Sequence, residues 1–224
     1  MAAGRKVRAV AELSWRRAED RELTPILASA LEEFYAKGYH GTSVRDIAKR
    51  AGLTVPALYY HHTNKEAVLA ALLDGAIDSV IERSKQAVAE AGDDPVARFN
   101  NLIECLLLFM AYNGKSAAMD AEVRALSAEN RRAYSAKRRV VAQLLEEAIA
   151  DGIAVGVFHV ASSFETSRAL LGMIEAISMW YRPGGQLTPH SLCEQYLDIA
   201  RHAVGAAGYY YPLATPAGLA SEPV

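Results

Sequence analysis

Residues 38–69, GYHGTSVRDIAKRAGLTVPALYYHHTNKEAVL, decide the fold. Ser43 stands before Val44, Ile47, Ala48 and Ala51 at helical spacing. Asp46 follows three residues on, which makes Ser43 an N-cap with a reciprocal partner. This predicts a helix over about 44–50. Gly52 falls where a C′ residue takes left-handed backbone, Thr54 is a second N-cap, and Pro56 sits in a first turn that tolerates its missing N–H. A second helix over about 55–61 follows. Ala48 and Gly52 are small enough for the two helices to cross closely, with Ile47, Ala51, Leu53 and Leu58 as apolar contacts. Two short helices joined in this way form a helix-turn-helix, a device for reading DNA.

Tyr59, Tyr60, His61 and His62 are too large and too polar-tipped to be buried together on so short a helix, so some face outward. The backbone N–H groups behind Thr54, with Thr42, Ser43, Tyr59, Tyr60, His61 and Lys65, can donate to phosphate oxygens. The pattern GY-x-x-TS-V-x-x-IA-x-x-AG-L-x-x-x-x-LYYH-x-x-x-KE resembles the DNA-binding region of the TetR family of bacterial transcriptional regulators. The resemblance covers about 50 residues with the preceding helix, and most of the donors above match the family's phosphate-contacting positions. Val55, Pro56 and Ala57 match positions that approach base edges. Two apolar side chains and a proline touch thymine methyls but make no bidentate hydrogen bond. Direct readout therefore leans on Thr54, on Arg45 of the supporting helix, or on DNA shape. His40, His61 and His62 have no carboxylate or cysteine at ligand spacing, so no metal site is expected.

At 224 residues and 51% hydrophobic content, the chain is long enough for one small unit and one of ordinary size. The net charge is only −2, so any DNA footprint is local. Residues 1–70 hold 11 Lys and Arg against 8 Asp and Glu, while the remainder holds 13 against 18. Five of the 11, Arg5, Lys6, Arg8, Arg16 and Arg17, precede residue 18, either as a disordered N-terminus or as an arm touching phosphates or the minor groove. Cys105 and Cys193 form no CxxC or Cys/His cluster, which suits a reducing compartment. No apolar run reaches the roughly 18 residues of a membrane helix, so a soluble cytoplasmic protein is expected, without a membrane partner. There is no nucleophile with a base, no metal-ligand set and no phosphate loop, so no catalytic residue and no cofactor are expected. A helical enzyme and a protein-binding helix-turn-helix module are the rival readings.

Leu23, Ile26, Leu27, Ala30, Leu31 and Phe34 repeat at helical spacing up to Lys37 and a C′ Gly38, and predict a helix bracing the pair. Its start lies either at Thr24-Pro25 or near Arg17. Asn64 opens a helix over about 65–90. Further helices are predicted at about 95–112, 115–127, 129–150, 160–181 and 189–206, with Val155–Val160 a loop. The fold class is all-α: a flexible basic arm (1–17), a three-helix DNA-binding domain (18–67), a helical effector-binding and dimerisation domain (68–207) and a tail (208–224).

A seven-residue recognition helix is roughly 10 Å long and spans about three base pairs. At about 1–3 kcal/mol per pair, one copy falls short of the roughly 8 kcal/mol needed against ~10⁶ competing sites. A homodimer on a roughly palindromic double-stranded operator follows. Leu170, Met173, Ile177 and Trp180, with Leu192, Tyr196 and Ile199, make two apolar faces that can close a four-helix bundle or pack within the monomer. For a small-molecule effector, Phe99, Ile103, Leu107 and Met110 offer one wall, and Met119, Tyr134, Met173 and Met179 adaptable apolar surface. Glu175, flanked by Ile174 and Ala176, needs a partner: a ligand group, Arg168 or the other subunit. The run Arg131, Arg132, Lys137, Arg138 and Arg139 is either a face solvated and balanced by Glu129, Glu146 and Glu147, or a receptor for a coenzyme A phosphate. WYRPGGQLTP (180–189), followed by Glu194, Gln195, Tyr196 and Leu197, is similar to a TetR subgroup with members that respond to coenzyme A thioesters. That resemblance implies a repressor released by an acyl-CoA or another apolar metabolite.

Overall fold

The computed structural model describes residues 15–17 and 22–206. Most of the expected arm and all of the expected tail 208–224 lie outside them. Among the described residues there is no strand, and the expected loop at 155–160 is a loop.

Helix α1 (Pro25–Gly41) starts at the Thr24 cap, whose side chain accepts from Leu27 N. It breaks at Gly38, where φ is +71°, a conformation that costs glycine little. Helix α2 (Val44–Arg50) carries the full Ser43–Asp46 capping box. Helix α3 (Val55–His61) opens on Thr54, whose hydroxyl accepts from Ala57 N. Between them Gly52 takes φ +68°, and Ile47, Ala48 and Leu58 are fully buried at the crossing.

Helix α4 (Lys65–Ala91) is capped by Asn64 and runs from this head into the rest of the molecule. Helix α5 (Pro95–Tyr112) is the central rod: Phe99, Leu102, Ile103 and Leu107 have no exposed surface, and α4, α7, α8 and α10 surround it. Instead of one helix over 115–127, a short α6 (Gly114–Ala118) passes into a 3-10 stretch (Met119–Ala125). Helix α7 (Ala128–Ala154) runs past the Asp151-Gly152 stop. A Cβ at Gly152 would lie 2.0 Å from the Phe158 ring, so this glycine makes room for Phe158, which packs edge-to-face on Phe99. The helix expected over 160–181 is broken into α8 (Ser163–Glu175) and α9 (Ile177–Trp180), and α10 (Pro189–Ala203) closes the core.

The expectation of a free arm fails for residues 15–17. Trp15 is 2% exposed, and Arg16 is ion-paired with Glu90 and Glu104. The carboxylate that interrupts the apolar α5 is what draws Arg16 in.

Candidate DNA-binding face and effector cavity

The head presents an exposed surface made by α2, the Gly52 turn and α3. Tyr60 is 87% exposed and Tyr59 47%, with His61 edge-on to the Tyr60 ring. Arg45 is exposed and has no hydrogen bond or ion pair among the described residues. Thr54 and Pro56 are exposed, while Val55 and Ala57 are half-buried. Ser43 is exposed, but its hydroxyl donates to Asp46 Oδ2 at 2.6 Å while accepting from Asp46 N. The Ser43 hydroxyl first, and then the Ser43 backbone N–H, both donating to Asp46 Oδ2, hold this carboxyl below the usual carboxylate range.

Two expected phosphate donors are committed elsewhere. Thr42 is 2% exposed and its hydroxyl donates to Gly38 O at 2.9 Å, which fastens the end of α1. Lys65 Nζ donates to Tyr39 O and Thr42 O, both at 2.8 Å, and lies over the Tyr39 ring. Its charge braces the turn that presents Ser43. Sequence reasoning missed this because the carbonyls left open at a helix end are invisible until the chain turns. It also passed over Lys49, exposed one turn from Arg45 on α2 and unpaired among the described residues.

The second feature is a cavity of about 640 Å³ between α4, α5, the α6/3-10 segment, α7 and α8, within the range of small-molecule sites. Of the expected lining residues, Met110, Tyr134, Glu175 and Met179 face it. Phe99, Ile103 and Leu107 do not: they are fully buried in solid core, and it is Leu106, Phe109 and Met110 of α5 that line the cavity. Met119 is buried and Met173 half-buried, neither on the wall. Ile77 and Val80 of α4 complete the apolar lining.

The partner of Glu175 is Arg138, not Arg168, which pairs instead with Glu165 within α8. Arg138 also bonds Asp120 at 3.0 Å, and Tyr134 donates to the same carboxylate at 2.8 Å. Burial first, and Asp120 second, keep the Tyr134 hydroxyl protonated. The basic run is balanced by residues other than those expected: Lys137 bonds Asp74 and Asp78 of α4, and Arg138 bonds Asp120 and Glu175. Arg139 stands on the cavity wall, exposed and without a hydrogen bond or ion pair among the described residues.

The α6/3-10 segment touches both features. Ser116, Ala117, Asp120 and Ala121 line the cavity. Lys115 bonds Glu32 of α1 at 2.6 Å, and Glu122 accepts from Tyr39 N at 3.0 Å. Immediately after the segment, Glu66 of α4 accepts from Ser127 N at 2.7 Å and from Asn130. These hydrogen bonds, the backbone one first, hold the Glu66 carboxyl below its usual range.

Of the residues expected at a dimer surface, Leu170, Ile177 and Leu192 are buried in the monomer core. Their faces of α8, α9 and α10 turn inward onto α5 and α7. What remains outside is a smaller face. Ala169, Gly172, Trp180 and Ile199 are exposed and Met173, Ala176 and Tyr196 half-buried, with Trp180 stacked on Tyr196 at 5.8 Å.

A helix-turn-helix head joined through one long helix to a helical body with an internal cavity defines an effector-responsive DNA-binding regulator. Residues 26–72 match the family of bacterial regulatory proteins called the tetR family, and residues 92–204 match the tetracyclin repressor-like C-terminal domain. The chain is 30% identical over 182 residues to the HTH-type transcriptional repressor KstR2 of Rhodococcus jostii, covering 79% of this chain and 87% of that protein. A tetR-family regulatory protein from Rhodococcus RHA1 superposes with a TM-score of 0.75 at 27% identity, covering 82% of this chain and 96% of that one. AibR, solved in complex with isovaleryl coenzyme A and operator DNA, gives a TM-score of 0.71 at 26% identity, covering 78% and 95%. The chain belongs to the tetR family. Among the described residues no helix is long and apolar enough to cross a membrane.

Proposed function

We propose that the protein is a cytoplasmic, non-enzymatic homodimeric repressor that leaves its operator when a coenzyme A thioester, or a metabolite of the same amphiphilic type, enters the cavity. The observation that carries this reading is the double role of one short segment: residues 115–122 supply both cavity wall and two of the ties to α1. A ligand that pushes on Asp120 or Ala121 moves Glu122, and with it the backbone at Tyr39, next to the turn that presents Ser43. A ligand that prefers the released state about 100-fold supplies roughly 2.7 kcal/mol of coupling, which turns about a tenfold preference for the operator-bound state into about a tenfold preference for release.

The lining supports an amphiphile. An acyl group fits among Ile77, Val80, Leu106, Phe109 and Met110. Arg139 is the cation on that wall whose charge is not taken up by a carboxylate among the described residues, and Arg131 lies two turns away on the same helix. Anionic parts of a ligand reaching the mouth would meet them. The complex of AibR with isovaleryl coenzyme A and operator DNA supports the same class. On DNA, Thr54, Tyr59, Tyr60 and His61 would face phosphates, and Arg45 with the Val55–Ala57 edge the bases.

The test is thermal unfolding with isovaleryl coenzyme A, free coenzyme A and isovalerate in parallel. At 100 times its Kd a ligand adds about 2.7 kcal/mol of stability. Stabilisation by the thioester beyond either fragment is expected, and its absence across a series of acyl chain lengths would sink the thioester reading.

A further inference from the structure

The polar side chains on the cavity wall are matched to one another, and the match leaves a remainder of one kind. Arg138 stands at its centre. Its Nη1 bonds Asp120 Oδ2 at 3.0 Å, and its Nη2 bonds Glu175 Oε1. Tyr134 donates its hydroxyl to Asp120 Oδ1 at 2.8 Å, so both Asp120 oxygens are taken. Glu175 Oε2, by contrast, has no hydrogen bond or ion pair among the described residues. Ser178, beyond the helix break at Ala176, donates its hydroxyl to the Glu175 carbonyl at 2.8 Å and is left with lone pairs. All five side chains line the cavity.

Charge gives that remainder its direction. Two carboxylates, Asp120 and Glu175, share the one guanidinium of Arg138, which leaves the cluster with a negative charge in excess. Arg139, the other cation on the wall, pairs with neither acid. The surrounding lining, with Ile77, Val80, Leu106 and Phe109, is apolar and supplies no donor. A ligand oxygen that only accepts, such as a ketone, meets lone pairs and a negative field there. A hydroxyl meets a free carboxylate oxygen, and a donor on an ionised acceptor makes one of the stronger hydrogen bonds. An ammonium group suits the wall less well, because Arg138 stands between the two acids and repels it. The hydroxyls of Ser116 and Ser135 turn either way and do not discriminate.

We propose that the effector carries a hydroxyl group on the part lodged in the cavity, and that Glu175 Oε2 accepts its hydrogen bond. This rests on the reading of the cavity as the effector site. It narrows the acyl group of a coenzyme A thioester to a hydroxylated one, and it concerns the lodged group whatever carries it.

The test uses the full chain with menthol and menthone, which share a carbon skeleton and differ as alcohol and ketone, each titrated by calorimetry. Menthol should bind about tenfold more tightly, the scale of one hydrogen bond to a charged group. Glu175→Gln keeps the size of the side chain, removes the excess charge and offers the ketone an amide donor, so it should lose most of that preference. Menthone binding as tightly as menthol would hand the wall to the remaining N–H groups of Arg138 and overturns the proposal. Binding of neither compound overturns it as well, and so does a preference that survives Glu175→Gln with helicity unchanged. Should the variant fail to fold, the wild-type comparison decides alone. The thioester reading fails separately: a preference for menthol, with no stabilisation by any coenzyme A thioester, removes the coenzyme A and keeps the hydroxyl.

Discussion

Lys65 reads as a phosphate donor when only its type and its place after the recognition helix are considered, yet two carbonyl oxygens at 2.8 Å claim its ammonium group. The difference is one of geometry: sequence spacing says that a cation is near the DNA face, but not which acceptors are nearer. Lys65→Met should lower unfolding free energy by about 1–3 kcal/mol, because Tyr39 O and Thr42 O lose a charged donor. It should also weaken DNA binding about equally for all sequences. A loss of sequence preference with stability unchanged would show that Lys65 touches bases instead. Arg139 is the reverse case. It sits in a basic run that resembles a solvated face, and only the cavity beside it singles it out. Arg139→Ala should weaken a coenzyme A thioester at least about tenfold, the scale of one charged hydrogen bond, while leaving DNA affinity without ligand unchanged. Titration calorimetry reads the first effect and anisotropy the second. Equal thioester affinity in the variant would remove Arg139 from the site.

Helices whose ends are marked by side-chain caps were legible in the sequence. Ser43, Thr54 and Asn64 fix the starts of α2, α3 and α4. The misses fall where no local signal exists. Ala176 interrupts α8 without glycine or proline, and Gly152 looks like a stop but lies inside α7 because Phe158 needs the space. Gly152→Ala, which would stabilise an ordinary exposed helix by about 1 kcal/mol, should here destabilise by about 1–3 kcal/mol. Chemical denaturation decides the sign. The tie between α4 and α7 carries a pH signature. Glu66 titrates lower in the folded protein than the usual carboxylate value near 4.3. Its contribution is therefore complete above the unfolded value and is lost as pH falls through the folded one. Over about pH 6 to pH 3, wild-type stability should fall more steeply than that of Glu66→Gln. Parallel curves would mean that the carboxylate is not bonded to Ser127 in solution.

At the scale of the whole molecule, the apolar pattern over 163–199 was too generous a guide to association. Leu170, Ile177 and Leu192 serve the monomer, because a helix lying on a core spends one apolar stripe there before it has any for a partner. In the proposed dimer, the exposed remainder around Trp180 and Ile199 would be the surface for the second copy. Ile199→Arg should yield monomers by light scattering and lose most operator affinity, since one head spans only about three base pairs. A dimer of unchanged stability would place the interface elsewhere. Beyond the packing of α1 on α4, α6 and the 3-10 stretch, the head is tied to the body by a short set of polar bonds: Lys115 to Glu32, Glu122 to the backbone of Tyr39, and Glu66 to Ser127 and Asn130. A seam so narrow makes the two halves exchangeable parts. A different DNA-reading head grafted onto this body would inherit its chemical responsiveness if it kept an acid at the position of Glu32, the Gly38-Tyr39 bend and an acid at the position of Glu66. Drift elsewhere in the head could change the address without changing the message.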